Sequence, residues 1–263
     1  MASQNLMKLA EAVAGNFTVF VPDRRGRGLS GPFGEQFGIS KAVEDLQALI
    51  VYSGAEHLFG VSVGAIVALF AALRTPGVRK VVAYEPPFAL ASVPGSSPAM
   101  WLPRYDDEIA QGRLAEAIVT VSKGIRGARI FSALPRFITV PLMRLALPAQ
   151  AREVKGGDVS LRDLIPTMHH DAQIVLDTAD RLEALCAIRA QVLLLGGRNS
   201  PAYFKRISSA VHASIPGSTH VQLRGLGHMS ADNGGKPLLV AQELLRFFAD
   251  GPAPANLATT SRR

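Results

Sequence analysis

An α/β fold, with a mostly parallel sheet, flanking helices and a helical insertion, is predicted by three features of this 263-residue chain. Short apolar runs alternate with amphipathic helical patterns, which implies parallel strands joined by right-handed crossovers. Glycine-rich turns follow several of those runs, where a strand would hand over to a helix. Between the two strand-bearing parts lies a long stretch rich in proline and helical pattern, without a convincing strand.

The elements follow in order. Leu6, Leu9, Ala10 and Val13 recur at helical spacing, and Gly15-Asn16 supplies a stop. Residues 17–22, FTVFVP, read as the first strand. After the glycine-rich turn 26–38, Ser40 is placed at the start of a second helix that runs to about Tyr52, with Glu44 near its first turn. Residues 56–60 form a short apolar strand, followed at once by residues 65–73, apolar nearly all round and hence a buried helix. Residues 79–84 are the third strand, ended by Glu85-Pro86-Pro87 because proline cannot continue a buried ladder. Helical patterns at 106–123 and 171–187 then dominate. Strand signals return at 190–195 and 219–224, separated by a helix over 201–214, and a last helix covers 237–249. The chain thus divides into a core of residues 1–87 and 187–250, an inserted helical part over 88–186, and a tail over 251–263 whose Pro, Ala, Thr and Ser predict disorder.

Bulk properties exclude several function classes. A hydrophobic fraction of 48% with 19% charged residues is that of a globular protein, and no apolar run reaches the roughly 18 residues of a membrane span. The first residues lack the basic segment, apolar core and cleavage site of a secretory signal, so a cytoplasmic protein is expected. One cysteine, Cys186, forms no internal disulfide and is expected to pack in the core. The net charge of +7 would suit nucleic acid only if the basic residues shared one face with interleaved aromatics. They are scattered, with the densest cluster, Arg24-Arg25-Gly26-Arg27, at a strand exit, so no nucleic-acid partner is expected. His169-His170-Asp171 is a poor metal cluster, because adjacent histidines on a helix point apart. No G-x-G-x-x-G follows a strand, and no cofactor is expected.

Gly60-Val61-Ser62-Val63-Gly64 matches G-x-S-x-G, and with 24 glycines in the chain its context must decide its meaning. The motif follows a short apolar strand and opens a helix, where glycines permit a sharp turn that exposes a strained serine. His228, in Gly225-Leu226-Gly227-His228-Met229, lies just past the last strand and so emerges at the same carboxyl edge as Ser62. A neutral imidazole within reach of a serine hydroxyl takes its proton and later returns it to a leaving group. Asp232, four residues on, reads as a solvated loop carboxylate.

The stretch VPDRRGRGLSG from Val21 to Gly31, the turn Gly60 to Gly64 and the pair Gly227-His228 together resemble the α/β-hydrolase superfamily over about residues 5–250. In that resemblance they match the segment after the fourth strand, the nucleophile elbow and the late catalytic histidine, and residues 88–186 sit where such enzymes carry a cap. Two departures stand out. The family places an acid after the strand at 192–195, where this chain reads Gly196-Gly197-Arg198-Asn199-Ser200-Pro201. Asn199 can orient an imidazole but cannot stabilise imidazolium as a carboxylate does, so Glu85, which follows the preceding strand, is the better candidate. The family also has three strands before the first helix, the third carrying a His-Gly oxyanion segment, and this chain shows neither. A truncated or wrongly started enzyme is therefore expected, with the backbone N–H of Val63 as the one oxyanion donor. Closing of the sheet, or a second chain in a homo-oligomer, would be needed to pair the strands beside the gap. The expected function is hydrolysis of an ester or related acyl bond of a small molecule by Ser62, His228 and Glu85. The alternative is an inactive hydrolase-like protein that binds a ligand or partner.

Overall fold

The computed structural model describes residues 1–125, 133–154, 156 and 158–249. The tail expected at 251–263 lies outside these residues. Four parallel strands, β1 (His57–Val61), β2 (Lys80–Tyr84), β3 (Gln191–Gly197) and β4 (Thr219–Leu223), stand side by side in that order. Helices α1 (Met7–Ala14), α2 (Ile39–Ser53) and α3 (Val63–Arg74) belong to the first part of the chain, and α9 (Ala202–Ser214) and α10 (Pro237–Phe248) to the last. Between them lie α4 (Leu102–Ala110), α5 (Leu114–Gly124), α6 (Arg136–Glu153), α7 (Leu161–Leu164) and α8 (Met168–Asp177).

The strands sort their side chains by the two-residue period. Leu58, Val81, Ala83, Val192 and Leu194 pack with α2, α3 and α9 on one face. Val61, Val82, Tyr84, Leu193 and Leu195 pack with Leu9 and Val13 of α1 and Val240 and Leu244 of α10 on the other. Helices on both faces explain why β2 is buried along its whole length and reads as a continuous apolar run after Lys80. Lys80 itself is buried, and its ammonium donates to the carbonyls of Phe248 and Ala249, the negative end of α10. A third cluster, including Leu102, Tyr105, Val121, Leu147 and Ala172, sits wholly among the inserted helices. Two residues past Ala172 on α8, Ile174 joins the main core, so this helix binds the two clusters together.

Several expectations are corrected. Residues 17–22 form no strand, and Val19 and Phe20 are 37% and 45% exposed. Alternation stabilises an extended segment only when a neighbour completes its ladder, and β1 pairs with β2 alone. Among the described residues, neither 17–22 nor another segment closes onto the free edge of β1. Ser40 is not the cap of α2. The cap residue is Gly38, and a carboxylate 138 positions beyond Ile39 does the capping, with Asp177 Oδ2 accepting from Ile39 N at 3.0 Å. A Cβ at Gly38 would lie 2.3 Å from that oxygen. The helix expected over 106–123 breaks at Gly112, whose φ is +69°, and the one over 171–187 ends at Asp177. Cys186 is exposed rather than packed, because in the 3-10 turn Leu182–Ala187 the inward position falls to Leu185.

The basic cluster at 24–27 is neutralised inside the molecule. Arg24 and Arg27 both bond Asp171 of α8, at 2.5 and 2.7 Å, and Arg25 bonds Asp45 of α2. The loop before α2 is thereby anchored to the inserted helices. No described helix is long and apolar enough to cross a membrane.

Candidate active site

Parallel pairing delivers the candidate residues to one rim. Val61 lies beside Tyr84, and Tyr84 beside Leu195. The ladder continues one step beyond, because Ser62 N donates to Tyr84 O at 2.9 Å and Glu85 N to Leu195 O at 3.0 Å. Ser62 and Glu85 therefore leave adjacent strands in the same row, about 4.8 Å apart in backbone by the usual strand spacing. His228 follows β4 by five residues and folds back over the ends of β2 and β3.

Ser62 occupies the left-handed side of backbone space, with φ +53° and ψ −125°, at the first residue before α3. A non-glycine residue held there stores strain, and such outliers concentrate at functional sites. The turn is possible because Gly60 has no side chain: a Cβ on it would meet Gly64 O at 2.3 Å. Gly64 itself faces open space, so the two glycines of the motif are not equivalent. Val63 begins α3, where first-turn N–H groups lack intrahelical acceptors and the helix dipole favours negative charge.

Glu85 and His228 form a buried pair. Glu85 is 1% exposed and His228 7%, and Oε2 of the carboxylate lies 2.9 Å from Nδ1 of the ring. The second oxygen, Oε1, accepts from Gly197 N at 2.8 Å, so both oxygens are engaged. Glu85 also has a positive φ, +48°, and it fits because Gly196 lacks a side chain: a Cβ there would stand 3.1 Å from Oε1. The histidine loop is pinned from below, where Tyr84 Oη donates to Gly227 O at 2.7 Å and Ser230 Oγ accepts from Gly227 N at 2.8 Å. Burial, with the Glu85 charge adding to it, pushes the Tyr84 phenol up, so it stays a neutral donor. Gly197 is required there too, as a Cβ would lie 2.1 Å from Leu226 O. The imidazole lies flat on the ring of Phe204, with centroids 4.2 Å apart and planes 18° apart.

The structure thus brings His228 and Glu85 into contact and sets Ser62 at the same rim. The Ser62 hydroxyl makes no hydrogen bond to His228; such contacts are often long before substrate binds and tighten afterwards. Asn199 is anchored through its backbone to Leu226 O, and the ring nitrogen facing the acid position is taken by Glu85. Asp232 accepts from Gly234 N in its own turn. His169 pairs with Asp106, and His170 packs tilted against Phe33, with ring centroids 3.7 Å apart. Among the described residues, two clefts of about 430 and 350 Å³ lie in and beside the inserted helices, and neither is lined by Ser62 or His228. Phe204, Tyr84 and the glycines at 196 and 197 carry no functional signal in the sequence. Phe204 shows there only as one more apolar position on the core face of a helix.

A strained serine at a strand-to-helix turn, and a carboxylate–imidazole pair at the carboxyl edge of the same parallel sheet, define an α/β protein that gathers these groups on one edge. The model of the alpha/beta hydrolase family matches residues 3–243, and the chain belongs to that family. An α/β hydrolase from Sphaerobacter thermophilus is 27% identical, with a TM-score of 0.72 over 94% of this chain and 90% of that one. The enol-lactonase from Burkholderia xenovorans is 18% identical, with a TM-score of 0.63 over 94% and 88%. A marine microorganism esterase is 17% identical, with a TM-score of 0.58 over 94% and 90%. The last two likenesses concern the fold alone. No curated protein matches the chain.

Proposed function

We propose that this protein is a serine hydrolase that cleaves an ester or related acyl bond of a small molecule. The observation that carries the reading is the buried Glu85–His228 pair at the rim where Ser62 is held in strained geometry. Ser62 Oγ attacks the acyl carbon as His228 Nε2 takes its proton. The negative charge that develops on the acyl oxygen is received by the N–H of Val63. His228 then protonates the leaving group, which departs with the bonding pair and leaves an acyl-serine. Water, deprotonated by the same imidazole, releases the acid and restores the hydroxyl. Glu85 holds Nδ1 protonated, so that Nε2 is the free base, and stabilises the imidazolium that forms in each half. In this reading the helices within residues 88–186 serve as a cap over the site.

A fluorophosphonate probe tests the proposal directly. Wild type is expected to label and Ser62→Ala to remain unlabelled. Equal labelling of both sinks the assignment, and binding of a small ligand without turnover would then favour the inactive, ligand-binding alternative.

A further inference from the structure

We infer that Phe204 is a positioning residue for His228, whose stacked ring fixes the plane of the imidazole and favours its protonated form during the reaction. The inference rests on the proposed serine hydrolase chemistry. Glu85 holds the imidazole at a single atom, Nδ1, and one hydrogen bond leaves the ring free to swing about that contact. A second aromatic plane 4.2 Å away and 18° off parallel removes the swing, so that Nε2 keeps one direction along the sheet edge. The face of a benzene ring also carries negative charge density, which attracts a cation held over it. In the two halves of the hydrolytic cycle His228 becomes cationic twice, each time against this face.

Phe204 is itself immobilised. It is 2% exposed and packs on Tyr203 at 4.3 Å, and the Tyr203 hydroxyl donates to Ile125 O of the inserted part at 2.6 Å. Of the charged groups on the surrounding elements, Arg206 of α9 and Arg224 past β4 are exposed, and others are engaged elsewhere. On α9, Lys205 donates to Arg198 O. At the end of β3, Arg198 donates to Gln222 O. In the histidine's own loop, Lys236 donates to Gly225 O and Asp232 accepts from Gly234 N. Glu85, with the neutral Tyr84 phenol behind it, is the carboxylate that faces the ring.

The test is a titration of His228 by imidazole nitrogen resonances, assigned by their loss in His228→Gln, together with the pH profile of fluorophosphonate labelling. Three variants are compared: Phe204→Leu, Phe204→Tyr and Phe204→Met. The last nearly conserves buried volume and decides the outcome if leucine impairs folding. With the ring face lost, the acid limb of labelling should move to lower pH, and the plateau rate should fall about threefold to thirtyfold. Phe204→Tyr, which keeps the face, should restore the titration and the rate. A folded Phe204→Met protein with the wild-type titration and acid limb overturns the inference, as does a tyrosine variant that behaves like methionine. The nitrogen titration does not involve Ser62, so failure of the stack and failure of the hydrolase reading, seen as labelling of Ser62→Ala, are separate results.

Discussion

Replacing Glu85 by glutamine keeps the shape of the side chain but removes its charge and turns one acceptor into a donor. In the wild type both carboxylate oxygens are used, Oε2 by His228 Nδ1 at 2.9 Å and Oε1 by Gly197 N at 2.8 Å. A glutamine can present its oxygen to only one of these donors. If the amide group faces Gly197 N, two donors meet in a site that is 1% exposed, which leaves a buried N–H unsatisfied at about 1–3 kcal/mol. The other arrangement wins: oxygen on Gly197, amide N–H on Nδ1. That forces Nδ1 to accept and Nε2 to carry the proton, so the nitrogen that the proposed mechanism uses is no longer a base. The equivalent carboxylate-to-amide change in a serine protease lowers kcat about ten-thousandfold by this tautomer effect. We expect kcat for Glu85→Gln to fall about a thousandfold to ten-thousandfold, equivalent to about 4–5.5 kcal/mol, with KM nearly unchanged. The assay is steady-state hydrolysis of a p-nitrophenyl ester, with circular dichroism melting to verify the fold. Retention of kcat within tenfold of wild type would refute Glu85 as the acid partner.

Two further outcomes follow from strain and from ion pairing. Ser62 is held at φ +53°, so Ser62→Gly should unfold at higher denaturant concentration than Ser62→Ala, by about 1 kcal/mol, although both abolish labelling. Equal stability of the two would show that the turn stores no strain. The second concerns Asp171. Burial, the largest single influence, raises its carboxyl, but Arg24 and Arg27 together hold it well below the ordinary range. Because the native pKa is depressed, its stabilisation is present above the unfolded value of about 3.9 and is lost as pH falls toward the native one. Asp171→Asn leaves the Arg27 guanidinium, 2% exposed, without its counter-charge and should cost about 3 kcal/mol at neutral pH. Its stability should also decline less steeply than wild type below about pH 4. Parallel denaturant-midpoint curves from pH 7 to 2 would contradict this.

The elbow at Gly60–Gly64 is legible in the sequence because strand, tight turn and buried helix are consecutive, and a turn is determined by its own few residues. The parallel sheet is legible for the same reason, since the apolar run of β3 and an α3 apolar nearly all round are local patterns. Capping of α2 is not, because a serine adjacent in sequence loses to Asp177, which only the folded chain brings to Ile39. Residues 17–22 carry a strand's pattern, yet a pattern cannot supply the neighbour that β1 does not share with them.

By itself, the sequence determined the four strands from residue 57 onward, the serine at a strained turn and the histidine beyond the last strand, because near neighbours along a chain decide those features. Only the tertiary structure brought the Glu85 carboxylate to the His228 ring, laid Phe204 against it and matched Asp171 to two arginines. Each joins residues from separate parts of the chain, and their meeting depends on the register of parallel strands and the packing of helices, which no local pattern encodes.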